Sequence, residues 1–276
     1  MNNVDAVESF ITDLELMGYS KHTIKAYRLT VVNALKHAGK NYKVVTTRDL
    51  KKFLLYLQKE KGCTLRTIGR HTNALKKFFR AFGLDVADKI QLPRTQKTLP
   101  TFLNHGEMEK LLKSIVNERD LIIVRLLYAS GLRVSELVAL NKDDIEGNMI
   151  IVHEGKGKKD RITYLDSETL KLLNQYLSKR KDKNPALFIN RRKGRLTERY
   201  VEVLVKKHAK RAGIKKKVTP HTLRHTFATH LLQNNANIVV IQKLLGHASL
   251  STTQIYTHVT DDFKKETYLN SHPLSK

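Results

Sequence analysis

Several short strings in this chain hold residues whose types and spacing could handle a phosphate group. The first is Gly131-Leu132-Arg133-Val134-Ser135-Glu136-Leu137. Gly131 can end one helix and Arg133 open the next, so Arg133 and Glu136, three residues apart, meet on one face and the carboxylate can orient the guanidinium. A guanidinium held in this way is a planar, permanently charged fork for phosphate oxygens. An isolated R-x-x-E pair more often means a surface ion pair. The second string is Thr219-Pro220-His221-Thr222-Leu223-Arg224-His225. Thr219 is a natural N-cap and Pro220 a first-turn residue, which puts His221, Arg224 and His225 on one face beside the positive helix end, where anions bind. Leu223 and Phe227 take the opposite, buried side. A satisfied polar cluster or a two-histidine metal site would use the same residues, but the adjacent glutamate of H-E-x-x-H and any thiolate are missing.

A third string runs Leu244-Leu245-Gly246-His247, followed by Ser251 to His258. Gly246 suits a helix end, Ser251 and Gln254 form a capping box, and Tyr256 then lies one to two turns into a short helix. Alone, Tyr256 reads as a core or interface aromatic and His247 as a turn residue. Finally, Glu154-Gly155-Lys156-Gly157-Lys158-Lys159-Asp160 places three lysines at the tip of a hairpin. The sum differs from its parts. Two arginines, two or three histidines, a lysine-tipped hairpin and a late tyrosine are what phosphoryl transfer without a metal requires. Charge develops on the non-bridging oxygens, the leaving oxygen needs a proton, and the attacking phenol needs a base.

These residues need a scaffold. The first 85 or so residues read as four helices. Val7, Phe10, Ile11 and Leu14 share a face; Ser20 opens a helix carrying Ile24, Tyr27, Val31 and Leu35; Leu50, Phe53, Leu54 and Leu57 mark a third; Leu65, Ile68, Leu75, Phe78 and Phe79 mark a fourth. Arg66, Arg70, Lys76 and Lys77 on that fourth helix offer cations to phosphate. Residues 85–100, with two prolines and no period, form a linker. Beyond it, helices are predicted near 105–116, 118–130, 133–140, 167–180, 197–212, 220–234, 237–245 and 251–259. Runs at 149–153 and 161–165 form the hairpin.

The order Arg133, Lys156, His221-x-x-Arg224, His247, Tyr256 resembles the active-site signature of the tyrosine recombinases, also called phage integrases. The strings GLRVSEL, GKGKKDR, TPHTLRHTFATHLL and IQKLLGHASLSTTQIYTHV are most similar to the Xer-type branch, and the likeness covers nearly the whole chain. The spacings agree as well: 23 residues from Arg224 to His247 and 9 from His247 to Tyr256.

The resemblance implies a mainly α fold with a small antiparallel hairpin. A helical core-binding, SAM-like bundle (1–92) would be joined by a linker (93–100) to a catalytic domain (101–276). It implies that Arg133 and Arg224 clamp the scissile phosphate with help from His247, that Lys156 protonates the departing 5′-oxygen, and that His221 acts as general acid and base. Tyr256 would attack to leave a 3′-phosphotyrosine on the way to a Holliday junction. Glu136 would support Arg133, while Lys158 and Lys159 would touch backbone phosphate. Family members close as C-shaped clamps on double-stranded DNA and work as tetramers, each donating a C-terminal segment, here 262–276, to a neighbour. A second recombinase or an accessory factor is a further possible partner. The covalent intermediate conserves the phosphodiester energy, so neither ATP, a cofactor nor a metal is expected. No extra domain precedes the bundle, which favours a chromosome or plasmid dimer resolvase or a compact mobile-element integrase.

Composition agrees with a nucleic-acid enzyme. Lys and Arg number 51 against 26 Asp and Glu, a net charge of +25. Residues 1–95 carry 18 basic and 8 acidic side chains and residues 96–276 carry 33 and 18, so both halves attract a polyanion. No apolar run approaches the roughly 20 residues that span a bilayer, no signal peptide is visible, and the single cysteine, Cys63, suits a reducing cytoplasm. Two other functions would use much of the same sequence. A type IB topoisomerase shares the chemistry, and a DNA-binding regulator could keep the fold without cutting, although such a regulator has no need of Tyr256.

Overall fold

The computed structural model describes residues 1–91, 101–153 and 160–246. The chain divides into two compact units, Met1–Thr98 and Leu99–Lys276.

The N-terminal unit is built from α1 (Asn3–Leu16), α2 (Lys21–Ala38), α3 (Thr47–Lys59) and α4 (Leu65–Ala81). Each starts at a side-chain cap from Asn2, Ser20, Thr46 or Thr64, as the backbone N–H groups of a first turn require. The apolar faces meet in one core, where Phe10 and Phe78 pack edge to face at 5.4 Å. Part of the stretch read as linker belongs to this unit: Ala87 and Ile90 are buried in its core and Asp88 pairs with Arg80 at 2.8 Å. Two well-placed apolar residues among charges outweigh the lack of a period.

The second unit holds α5 (His105–Lys113), α6 (Glu118–Ser130), α7 (Val134–Ala139), β1 (Ile145–Glu146), β2 (Met149–Val152), β3 (Arg161–Tyr164), α8 (Ser167–Ser178), α9 (Glu198–Arg211), α10 (Pro220–Gln233) and α11 (Ile238–Leu245). Seven of the eight helices predicted here are present within about three residues at either end; the one at 251–259 lies outside the described residues. Helix α6 is central, with Ile122, Ile123, Val124, Leu126 and Leu127 all fully buried, so its apolar surface is wider than the stripe of a surface helix, while Arg125 reaches out to Asp166 and Glu168.

The predicted hairpin is β2 and β3 of a three-stranded antiparallel sheet in the order β1-β2-β3. The two-residue strand β1 was not foreseen, being too short to show alternation. Pairing of Ile150 with Thr163 and Val152 with Arg161 puts these four residues on one face. Ile150, Val152 and Thr163 are buried, while Ile162 and Tyr164 are about half exposed. The strand is thus inverted relative to its own hydrophobicity: its arginine and threonine face inward, and Thr163 donates to the Ser130 carbonyl at 2.9 Å.

Candidate active site

Gly131 is the joint between α6 and the turn that leads into α7. Its φ of +63° is left-handed, and a Cβ there would stand 2.5 Å from the Phe227 ring, so both backbone and space demand glycine. The turn leaves Arg133 as the N-cap of α7. The Glu136 carboxylate reaches back to accept the Arg133 backbone N–H at 2.7 Å and the guanidinium Nη1 at 2.6 Å. At the other end of α7, Arg195 Nη1 donates to the carbonyls of Val138, Ala139 and Leu140 at 2.7–2.8 Å. The short helix bearing Arg133 and Glu136 is therefore pinned at both ends.

Helix α10 begins as its sequence predicts. Thr219 accepts from the Thr222 N–H at 3.2 Å, and Pro220 fills the first turn. His221 is exposed and His225 half-buried, their rings 6.4 Å apart. Burial, then the nearby His221 and Arg224, hold the His225 pKa below the usual histidine value, which favours the neutral ring. Arg224 turns inward, only 3% exposed, and donates to the Gly131 carbonyl at 2.6 Å and the Leu245 carbonyl at 2.5 Å.

Arg133 and Arg224, 91 residues apart in sequence, converge on one carboxylate. Glu136 Oε1 bonds Arg133, and its Oε2 lies 3.8 Å from Arg224 Nη1. A third guanidinium joins them: Arg161 donates Nη1 to Oε1 at 3.0 Å and Nη2 to Oε2 at 2.7 Å. Burial alone would raise the Glu136 pKa, but the Arg161 guanidinium and the Arg133 backbone and side chain bring it down to about 2. The cluster keeps an excess of positive charge at the end of α11, beside a helix terminus whose carbonyls are already bonded. Such fixed donors are suited to hold a tetrahedral anion and the extra charge of its transition state.

Arg161 escaped the sequence reading. It lies in the string GKGKKDR, but hydrophobic alternation along β3 points to Ile162 and Tyr164, and nothing in the sequence links position 161 to 136. Five other predicted residues, Lys156, Lys158, Lys159, His247 and Tyr256, lie outside the described residues, as does 262–276. Of the cations predicted on α4, Arg66 and Arg70 are exposed. Lys76 turns aside, its Nζ 3.4 Å from the Asp88 carbonyl, and Lys77 stands 4.8 Å from the centre of the Tyr19 ring. Among the described residues no group of three or more His, Cys, Asp or Glu side chains is placed to hold a metal ion, and no helix is long and apolar enough to cross a membrane.

Comparison with known proteins gives this arrangement its class. The model of the phage integrase family matches residues 101–262, and that of the phage integrase N-terminal SAM-like domain matches residues 7–85. Tyrosine recombinase XerA of Pyrococcus horikoshii is 43% identical over 270 residues, covering 96% of this chain and 92% of the relative. Tyrosine recombinase XerD of Oceanobacillus iheyensis is 36% identical, covering 97% and 98%. Among solved structures, XerH recombinase bound to palindromic difH substrate, in a post-cleavage complex, superposes with a TM-score of 0.74 at 28% identity, covering 88% of this chain and 78% of that one. The chain belongs to the phage integrase family, as a tyrosine recombinase of the Xer branch. Its function is site-specific recombination, and neither the topoisomerase nor the regulator reading is favoured.

Proposed function

We propose that this enzyme binds a double-stranded DNA recombination site and cuts and rejoins it through Tyr256. Arg133 and Arg224 grip the non-bridging oxygens of the scissile phosphate, assisted by His247. The Tyr256 hydroxyl, its proton taken by His221, attacks phosphorus to form a 3′-phosphotyrosine. The bond to the 5′-oxygen breaks, and Lys156 supplies that oxygen with a proton. Attack by the 5′-hydroxyl of a partner strand reverses the step, restores the tyrosine and leaves a Holliday junction after one round of exchange. Lys158, Lys159, Arg66 and Arg70 contribute phosphate contacts. Residues 1–92 form the core-binding domain, 93–100 the linker and 101–276 the catalytic domain. Four copies act on two sites, with 262–276 exchanged between neighbours, in the cytoplasm.

The observation that carries the residue roles is the convergence of Arg133 and Arg224 on Glu136, which brings two permanently charged forks from separate elements to one point. Purified protein incubated with fragmented host DNA and stopped with SDS tests the reading. Adducts at one shared sequence, absent with Tyr256→Phe, support it and deliver the site. Tight binding with no adduct contradicts cleavage by this chain alone.

A further inference from the structure

Arg161 has no role in the chemistry proposed above, yet every nitrogen of its guanidinium is hydrogen-bonded within the site. Its side chain is 8% exposed, and both Nη atoms are spent on Glu136 at 3.0 and 2.7 Å. Its Nε donates to the Leu244 carbonyl at 3.0 Å. The next two carbonyls along the chain, those of Leu245 and Gly246, accept from Arg224 at 2.5 Å and Arg133 at 3.2 Å. Three successive carbonyls at the end of α11 are thus taken by three different arginines, and the same three arginines gather around Glu136.

This arrangement divides the labour. Glu136 orients Arg133, but a lone carboxylate beside Arg133 and Arg224 would cancel half of their charge. A third, buried guanidinium cancels the carboxylate in their place. It also holds both carboxylate oxygens in a fixed plane, because a bidentate fork permits little rotation. Through Leu244 it ties β3 to the end of α11, two residues before the chain continues toward His247 and Tyr256.

Resting on the reading that Arg133 and Arg224 hold the scissile phosphate, we infer that Arg161 is a positioning residue: through Glu136 and the Leu244 carbonyl it sets the aim and preserves the charge of the two phosphate-binding arginines. It acts without touching DNA. Its loss therefore weakens stabilisation of the charged transition state far more than it weakens binding.

The test uses the full chain and a duplex bearing the site recovered from the covalent adducts, with either the natural phosphodiester or an uncharged methylphosphonate at the scissile position. Arg161→Met is expected to slow single-turnover cleavage of the phosphodiester about 10²-fold at saturating protein. On the methylphosphonate, which lacks one charged non-bridging oxygen and so asks less of the two arginines in the transition state, it should lose about threefold or less. Arg161→Lys, which restores the charge but not the fork, should recover about tenfold of the loss on the natural substrate. Equal slowing on both substrates, or no slowing by Arg161→Met, would overturn the inference by assigning Arg161 a general structural role or none. Should Arg161→Met fail to fold, the ratio of rates on the two substrates for Arg161→Lys against the parent decides the same question. A parent protein that cuts neither duplex would overturn the underlying reading instead.

Discussion

The arginines around Glu136 and the arginines on α4 are the same side chain put to opposite uses. Arg66 and Arg70 stand one turn apart on an exposed face, and among the described residues neither side chain makes a hydrogen bond or an ion pair. Their charge is solvated, adaptable and cheap to hold. Arg161 and Arg224 are nearly buried and Arg133 is about one-third exposed, each guanidinium fixed by carbonyls or by the Glu136 carboxylate. Removing those charges from water is costly unless every donor finds a partner. The difference separates affinity from catalysis. Mobile surface cations release counterions and raise binding to any duplex, whereas a preorganised cluster distinguishes one phosphate at the moment it reacts.

The comparison breaks if mutations fail to separate along that line. The largest effect belongs to Arg224. Arg224→Lys keeps the charge but cannot reach the Gly131 and Leu245 carbonyls while presenting a fork. We expect cleavage at saturating protein to fall about 10³-fold, with DNA affinity, measured by titration, changed little. Equal losses in both would erase the distinction.

Glu136 comes next. Glu136→Gln leaves three guanidinium groups without a counter-charge and should cost about 3 kcal/mol of stability in chemical denaturation. The pH dependence has a definite sign. The carboxyl pKa is depressed from 4.5 to about 2 in the folded state, so its stabilisation is complete above the unfolded value and is lost as pH falls from about 4.5 toward 2. The glutamine variant should lack this component, and an identical acid limb in both proteins would contradict the assignment.

The smallest effects sharpen the other half of the comparison. Arg66→Ala and Arg70→Ala should each weaken DNA binding severalfold and lower the slope of log affinity against log salt by about 0.9. The rate at saturation should stay within about twofold. A salt slope that did not move would remove α4 from the DNA surface.

Legibility in the sequence divides along the same line. Helices with explicit caps, such as Thr219 before α10 or Ser20 before α2, announce themselves locally. Gly131, Arg133, Glu136 and Arg224 were recognisable because their strings carry short-range signals: a helix stop, an i, i+3 pair, a capped first turn. Arg161 was not. Its role depends on strand register and on partners at 136 and 244, and the apolar residues beside it in β3 argue for the opposite face. The burial of Arg224 was hidden for a similar reason, since an arginine on a first turn reads as exposed until the carbonyls of Gly131 and Leu245 are seen to meet it. Ala87 and Ile90 show the converse, a stretch with no period whose two apolar residues still complete a core.

The most direct test of the proposed chemistry locates the covalent bond itself. The SDS-resistant adduct, trimmed with nuclease and digested with trypsin, should yield peptide 244–264 carrying a nucleotide on Tyr256 through its 3′-phosphate. DNA linked to any other residue, or linked through a 5′-phosphate, would contradict the assignment of the nucleophile and the active site built around it.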